Sequence, residues 1–253
     1  MKAHAILIGV SEVDERHYLL PKNLNSARVN VANAADYLGS LTSEEFKIDY
    51  RDVFIGCSAK WRAIKKRINY YKEKFREDPG LLIIYFSGHG YQTSINFKVE
   101  NYLYCFYDQM IFGREIKETL VDFNRNSKLV LIADSCKSEG FGFVKSRQSE
   151  IRRLVESEFV NDYVKRAQTI NSRALQYQSE ICLIAASRKG VNVSGVSNTE
   201  MTNFTRELLY LLRQNSFDGN YSHLISCLNL KKKLKEEAII KIANSESNYF
   251  LRK

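Results

Sequence analysis

Two short runs constrain the fold of this chain more than any other feature: Leu81 to Phe86 (LLIIYF) and Lys128 to Ala133 (KLVLIA). Neither alternates apolar with polar residues, so neither can line a sheet that keeps one face wet. Runs rich in Leu, Ile and Val, without Pro or Gly, are strands buried on both faces of a parallel sheet. Glu180 to Ala186 (EICLIAA) repeats the pattern, and His4 to Val10 opens the chain with a further strand. Phe46 to Ile55 is another, and the aromatic stretch Asn101 to Tyr107 reads as a strand or hairpin arm. Helical periods fall between them. Ala27 to Leu41 carries Val31, Ala34, Ala35 and Leu38, and a helix capped by Ser58 runs to about Glu77 with Trp61, Ile64, Ile68 and Tyr71 on one face. Phe112 to Phe123 and Asn203 to Arg213 follow, and Tyr221 to Leu230 and Lys233 to Ile242 also read as helices, with a short edge strand at Asn248 to Leu251. Such alternation predicts an α/β fold: a mainly parallel central sheet of about six strands with helices on both faces.

Composition narrows the class. The chain has 253 residues, of which 44% are hydrophobic and 2 are Pro, with no Gly/Ser linker, so one domain over 1–253 is expected. The polar stretch Lys137 to Ser179 is too long for an ordinary loop and reads as an insert. Within it, Ile151, Leu154, Val155, Phe159 and Tyr163 are spaced as on a helix over Ser149 to Gln168. The cysteines are Cys57, Cys105, Cys136, Cys182 and Cys227, an odd number with no C-x-x-C pair. That argues against zinc and disulfides and for a reduced, cytoplasmic protein, with Cys182 in the core. The apolar start, Ala5 to Val10, is too short for a signal peptide, and no segment approaches the ~20 apolar residues of a membrane helix. The net charge of +9 is spread out, with tight clusters only at Lys231–Lys233 and Arg152–Arg153, which speaks for a solvated surface and not for nucleic acid. GHG and GFG lack the Lys-Ser/Thr of a phosphate loop, and no acidic loop has the EF-hand pattern. His4, His17 and His223 read as surface or capping residues.

The chemistry stands where the buried strands end. The first run leads into Ser87-Gly88-His89-Gly90 and the second into Asp134-Ser135-Cys136. Open α/β sheets bind ligands at the carboxyl ends of their strands, so neighbouring strands would bring His89 and Cys136 to one rim. A thiol is a strong nucleophile only as thiolate, and an imidazole can take its proton. Attack on an amide carbonyl creates an oxyanion that needs fixed donors, for which the backbone N–H groups of Gly90 and Cys136 are placed. Glycines at 88 and 90 let a substrate backbone approach.

With these residues the chain resembles the caspase-like cysteine peptidases, closer to metacaspases, paracaspases and their bacterial relatives than to animal caspases. The resemblance covers nearly the whole chain. Ala5 to Val10 and Leu24 to Leu38 match the family's first strand and helix, and Asn101 to Asp108 its Leu-x-Pro-x-Asp-like segment. Ile181 to Ser187 matches a strand ending in Ala-Ser, and Phe204 to Leu212 a Phe-Thr-x-x-Leu helix. The resemblance implies a caspase-like α/β/α sandwich and a cysteine endopeptidase with a His89–Cys136 dyad. Asp134, two before the cysteine, stands as in relatives that cut after Arg or Lys, pairing bidentately with Arg and more loosely with Lys. The relatives' Asn-Asp-Ala is here Asn25-Ser26-Ala27, so Ser26 replaces a second acid of the basic-residue pocket. After the cysteine, Lys137-Ser138-Glu139-Gly140 replaces His-Ser-Gly, and Tyr104-Cys105-Phe106-Tyr107-Asp108 lacks the family's Pro.

The implied partner is a protein or peptide substrate, with no cofactor. The calcium dependence of some metacaspases has no motif here. With no prodomain, activation would fall to a partner chain or to the insert. The flanks of the insert carry Lys145, Arg147 and Arg173 as self-processing sites. Two other readings stand beside this one: a catalytically idle caspase-like module that binds partners, and an unrelated α/β protein. Idle relatives usually lose one of the dyad residues, and this chain keeps both.

Overall fold

The computed structural model describes residues 2–14, 24–40, 48–95, 99–136, 138, 141, 178–186, 200–213, 224, 227–228 and 238–243. Its centre is a six-stranded sheet of β1 (Ala3–Gly9), β2 (Ile48–Ile55), β3 (Leu81–Ser87), β7 (Lys128–Asp134), β8 (Glu180–Ala185) and β9 (Ile239–Ala243), in the order β2-β1-β3-β7-β8-β9. The first five run parallel, and β9 closes the edge antiparallel to β8. Among the described residues the sheet is accompanied by the helices α1 (Asn25–Ser40), α2 (Trp61–Glu77), α3 (Gly113–Leu120) and α4 (Asn203–Arg213). A second, antiparallel sheet is formed by β4 (Gly90–Ile95), β5 (Val99–Cys105) and β6 (Met110–Phe112).

The runs lack polar alternation because both faces of the main sheet are covered. Ile6, Ile8, Leu82, Ile84, Phe86, Leu129 and Leu131 pack with Trp61, Ile64, Ile68, Tyr71 and Phe75 of α2 and Ile116 and Leu120 of α3. Their neighbours along the strands, Ala5, Leu7, Ile83, Tyr85, Val130 and Ile132, pack with Val31, Ala34 and Leu38 of α1 and Phe204, Leu208 and Leu209 of α4. A strand turns successive side chains to opposite faces, so one run supplies two cores. The expected α/β/α sandwich is therefore the observed one.

Three details differ from the sequence reading. The α2 N-cap is Lys60, and the Ser58 hydroxyl instead closes a short 3-10 turn, accepting from the Ile55 N–H and donating to the Ile55 carbonyl, at 2.8 Å each. The Trp61 N–H at the start of α2 is taken by Asp108 Oδ1 at 3.1 Å, a carboxylate placed where the helix dipole favours one. Lys233 to Ile242 is not helical where it is described: Ile239–Ala243 pairs with β8, because IIKIA is β-branched and the β8 edge needs a partner. His4 is buried and not a surface residue, its ring 4.8 Å from that of Tyr71 and its Nε2 3.1 Å from Lys74 Nζ. Of Tyr221–Leu230, the described Leu224, Cys227 and Leu228 are helical. The helix expected over Ser149–Gln168, the strand at Asn248–Leu251, and His17 and His223 lie outside the described residues.

Candidate active site

Strand register brings the two motifs together. β3 and β7 are parallel neighbours, paired without a slip from Leu81↔Lys128 to Ser87↔Asp134, so both end level. Beyond that point the Gly88 N–H donates to the Asp134 carbonyl at 3.3 Å, and the Cys105 N–H donates to the His89 carbonyl at 3.1 Å. Gly90 then lies so close to Cys136 that a Cβ at that position would overlap the Cys136 carbonyl oxygen, and it would stand 3.2 Å from Ser135 Oγ. Only glycine allows this approach. The two backbones read as oxyanion donors, at Gly90 and Cys136, are thus in direct contact, and His89 and Cys136 are each half-buried at the rim.

The small sheet forms the wall behind His89. Tyr91 pairs with Leu103 across β4 and β5, and residues directly opposite one another share a face. The Tyr91 ring lies 6.3 Å from the His89 ring with the planes 26° apart, an offset stack. Burial above all, with the nearby thiols of Cys105 and Cys136, pushes the Tyr91 phenol up to about 12, so it stays neutral. Burial alone pushes the Cys105 thiol to about 12, which leaves it an inert core thiol. On the opposite face Tyr104 packs in an aromatic cluster with Phe86 and with Phe141, at centroid distances of 5.9 and 5.0 Å. Phe141 N–H donates to the Ser138 carbonyl at 3.0 Å, and both residues are buried.

Asp134 turns to the other face of the main sheet and is 3% exposed. Its Oδ2 accepts from Asn30 Nδ2 at 2.9 Å, from Thr205 Oγ1 at 2.6 Å, and from Thr202 Oγ1. Tyr85 Oη lies 2.6 Å from Thr205 Oγ1, and burial, reinforced by the Asp134 charge, drives that phenol well above its usual range. Ser26 is buried in the first turn of α1, but the α1 side chain that reaches Asp134 is Asn30, one turn on. Sequence reasoning missed Asn30, Thr202 and Tyr91. The available signal was a buried-face polar residue, since Asn30 falls among Ala27, Val31 and Ala34. Among the described residues, no group of three His, Cys, Asp or Glu could hold a metal ion, and no helix is long and apolar enough to cross a membrane.

An α/β/α sandwich that brings an imidazole and a thiol to the ends of adjacent parallel strands has the architecture of a caspase-type cysteine peptidase. The family model for the caspase domain, Peptidase_C14, matches residues 2–247, and the chain belongs to that family. Among solved structures, protein GSU0716 from Geobacter sulfurreducens is similar with a TM-score of 0.76 and 16% identity, over 100% of this chain and 97% of that one. Caspase-1 from Spodoptera frugiperda is similar with a TM-score of 0.53 and 14% identity, over 96% of this chain and 86% of that one. At such identities the likeness is one of fold. No curated protein matches the chain significantly in sequence.

Proposed function

We propose that the chain is a cysteine endopeptidase in which His89 and Cys136 form the catalytic dyad. His89 takes the thiol proton, and the Cys136 thiolate attacks the scissile carbonyl. The resulting oxyanion receives hydrogen bonds from the backbone N–H groups of Gly90 and Cys136. Collapse of the tetrahedral intermediate breaks the C–N bond, His89 gives its proton to the departing amine, and water hydrolyses the thioester by the reverse sequence. The observation that carries this reading is the in-register end of β3 and β7, with Gly90 packed directly on Cys136. Every step uses groups of the chain itself, without a metal or cofactor, and the working thiol suits a reducing, cytoplasmic setting.

Specificity for Arg or Lys before the cut rests on Asp134, with Ser26 in the place of a second acid. The insert over 137–179, nearly all of it outside the described residues, offers the enzyme its own substrate at Lys145, Arg147 and Arg173. The test is turnover of matched peptides ending in Arg, Lys or Asp by wild type and Cys136→Ala, with fragment masses recorded for both proteins. Cleavage that depends on Cys136 supports the peptidase. Absence of cleavage in wild type leaves the idle, partner-binding module as the better reading, and fragments also present in Cys136→Ala exclude self-processing.

A further inference from the structure

The backbone alone does not fix the plane of an imidazole. The χ2 torsion of His is broad and roughly two-fold, so a His that must present one nitrogen to a thiol needs a neighbour that sets its plane. For His89 that neighbour stands on the same segment of chain. The Cys105 N–H donates to the His89 carbonyl, Gly90 pairs with Tyr104, and Tyr91 pairs with Leu103. Successive side chains of a strand point to opposite faces, so His89, Tyr91, Leu103 and Cys105 share one face and Tyr104 stands on the other. Leu103 is 8% exposed and Cys105 0%, which gives the shared face a dry floor, whereas His89 and Tyr91 are half-buried upon it. The two rings lie 6.3 Å apart with their planes 26° from parallel. Gly90, the residue between them, is packed on the Cys136 carbonyl, so the segment that carries both rings is fixed relative to the nucleophile.

We propose that Tyr91 is a positioning residue for the dyad: the face of its ring holds the His89 imidazole in the plane that presents it to the Cys136 thiol. This rests on the peptidase reading above and deepens it. The ring acts here, and not the hydroxyl. An offset stack turns the negative face of the phenol ring to the imidazole, and that face also favours the imidazolium formed when His89 takes the thiol proton. The phenol itself stays protonated. Burial first, and then the thiols of Cys105 and Cys136, push it up to about 12, so it sets no second anion beside the thiolate. A leucine at this position would cover the same dry floor without offering a ring face, and the imidazole would be free to turn. A displacement of about 1 Å at a reacting group can cost on the order of 10²-fold in rate.

The experiment compares full-length wild type, Tyr91→Leu and Tyr91→Phe. It measures kcat and KM on whichever of three matched peptides, ending in Arg, Lys or Asp, wild type cleaves best. Alongside, the pH dependence of iodoacetamide alkylation at Cys136 is followed by mass mapping. Tyr91→Leu should lower kcat about tenfold or more, with KM within about threefold of wild type. Tyr91→Phe keeps the ring and should restore kcat to within about threefold. The acid limb of alkylation should move up by about half a pH unit in Tyr91→Leu and stay in place in Tyr91→Phe. In a His89→Ala background, Tyr91→Leu should change the alkylation rate by less than about twofold, because its effect passes through the imidazole. Tyr91→Met is a second ringless variant should leucine loosen β4, and urea midpoints identify which variants are folded. Four results each overturn the proposal while leaving the peptidase standing. They are equal slowing with and without His89, loss of most of kcat in Tyr91→Phe, wild-type kcat in a folded ringless variant, and failure of both ringless variants to fold where Tyr91→Phe folds. No Cys136-dependent cleavage of any of the three peptides overturns both.

Discussion

The two halves of the candidate rim are held by different means. The His89–Cys136 half is set by main chain: the β3–β7 register, the Gly88 N–H on the Asp134 carbonyl, and the contact of Gly90 with Cys136. The Asp134 half is set by the side chains of Asn30 on α1, Thr202 just before α4 and Thr205 on α4, which converge on one carboxylate oxygen. The first is half-buried and relies on backbone that few substitutions can alter. The second is almost fully buried, and each of its members is a side chain that a single substitution can remove. On the proposed roles, placing the reacting groups and choosing the substrate would be separable tasks.

The largest effect should come from the reacting groups themselves. Cys136→Ala and His89→Ala are each expected to lower turnover by about 10⁴-fold or more, with cooperative thermal unfolding retained, since the strand register is set by main chain. Wild-type turnover by Cys136→Ala would sink the peptidase reading. Next in size is Gly90→Ala. The added Cβ would meet a main-chain carbonyl, which cannot swing aside, so the strand ends must part. A loss of about 1–3 kcal/mol in stability and of most activity is expected, read by urea unfolding and peptide turnover. Gly88→Ala is the control, because there the Cβ would press on Phe86 Cζ at 2.9 Å and Val10 Cβ at 3.2 Å, both side-chain atoms. Equal tolerance of the two substitutions would refute the claim that main chain places this half.

Asp134→Ala should act on the other half. It leaves the donors of Asn30, Thr202 and Thr205 to find new partners, at a cost of about 1–3 kcal/mol. Cleavage after Arg and Lys should fall far more than the rate at which iodoacetamide alkylates Cys136. The readout must be site-resolved, because Cys57 is exposed and will react as well. Efficient cleavage after Asp, with none after Arg or Lys, would remove Asp134 from the role assigned to it.

The same contrast explains what the sequence disclosed. SGHG and DSC follow their strands directly, so buried-strand periodicity carried both motifs to one rim once the strands were taken as neighbours. Gly90 was legible for the same reason. The web around Asp134 was not, because Asn30 lies 104 residues from Asp134 and 172 from Thr202, and no local pattern records such pairings. The main sheet was readable from non-alternating runs, whereas β4 was not: GYQTSI has neither period nor apolar bulk, and its strand state depends on pairing with β5. β9 was misread because a Lys-rich approach to IIKIA fits a helix locally, and the demand of the β8 edge prevails only in the folded chain.

The smallest predicted effect also tests both halves, through alkaline pH. Cys105 shares the wall behind His89, and Tyr85 lies beneath Asp134. Both are raised in the folded chain, Cys105 by burial to about 12 and Tyr85 well above 10 by burial and then by the Asp134 charge. A group whose folded pKa is raised contributes stability that is complete below its unfolded value and is lost as pH climbs toward the folded one, because the unfolded chain releases the proton first. The loss attached to Cys105 should therefore begin near pH 9 and reach about 2 kcal/mol near pH 10.5, and that attached to Tyr85 should begin near pH 10. The check is the urea midpoint from pH 8 to 11 for wild type, Cys105→Ala and Tyr85→Phe. Wild type should decline throughout the upper range. Cys105→Ala should start lower, from the lost packing, but decline less between pH 9 and 10. Tyr85→Phe should follow wild type to about pH 10 and decline less steeply above it, since a phenyl ring has no proton to lose while Cys105 still has one. A wild-type midpoint that stays level to pH 11 would mean that these groups are not sealed from solvent, and the rigid wall behind His89 would have to be given up.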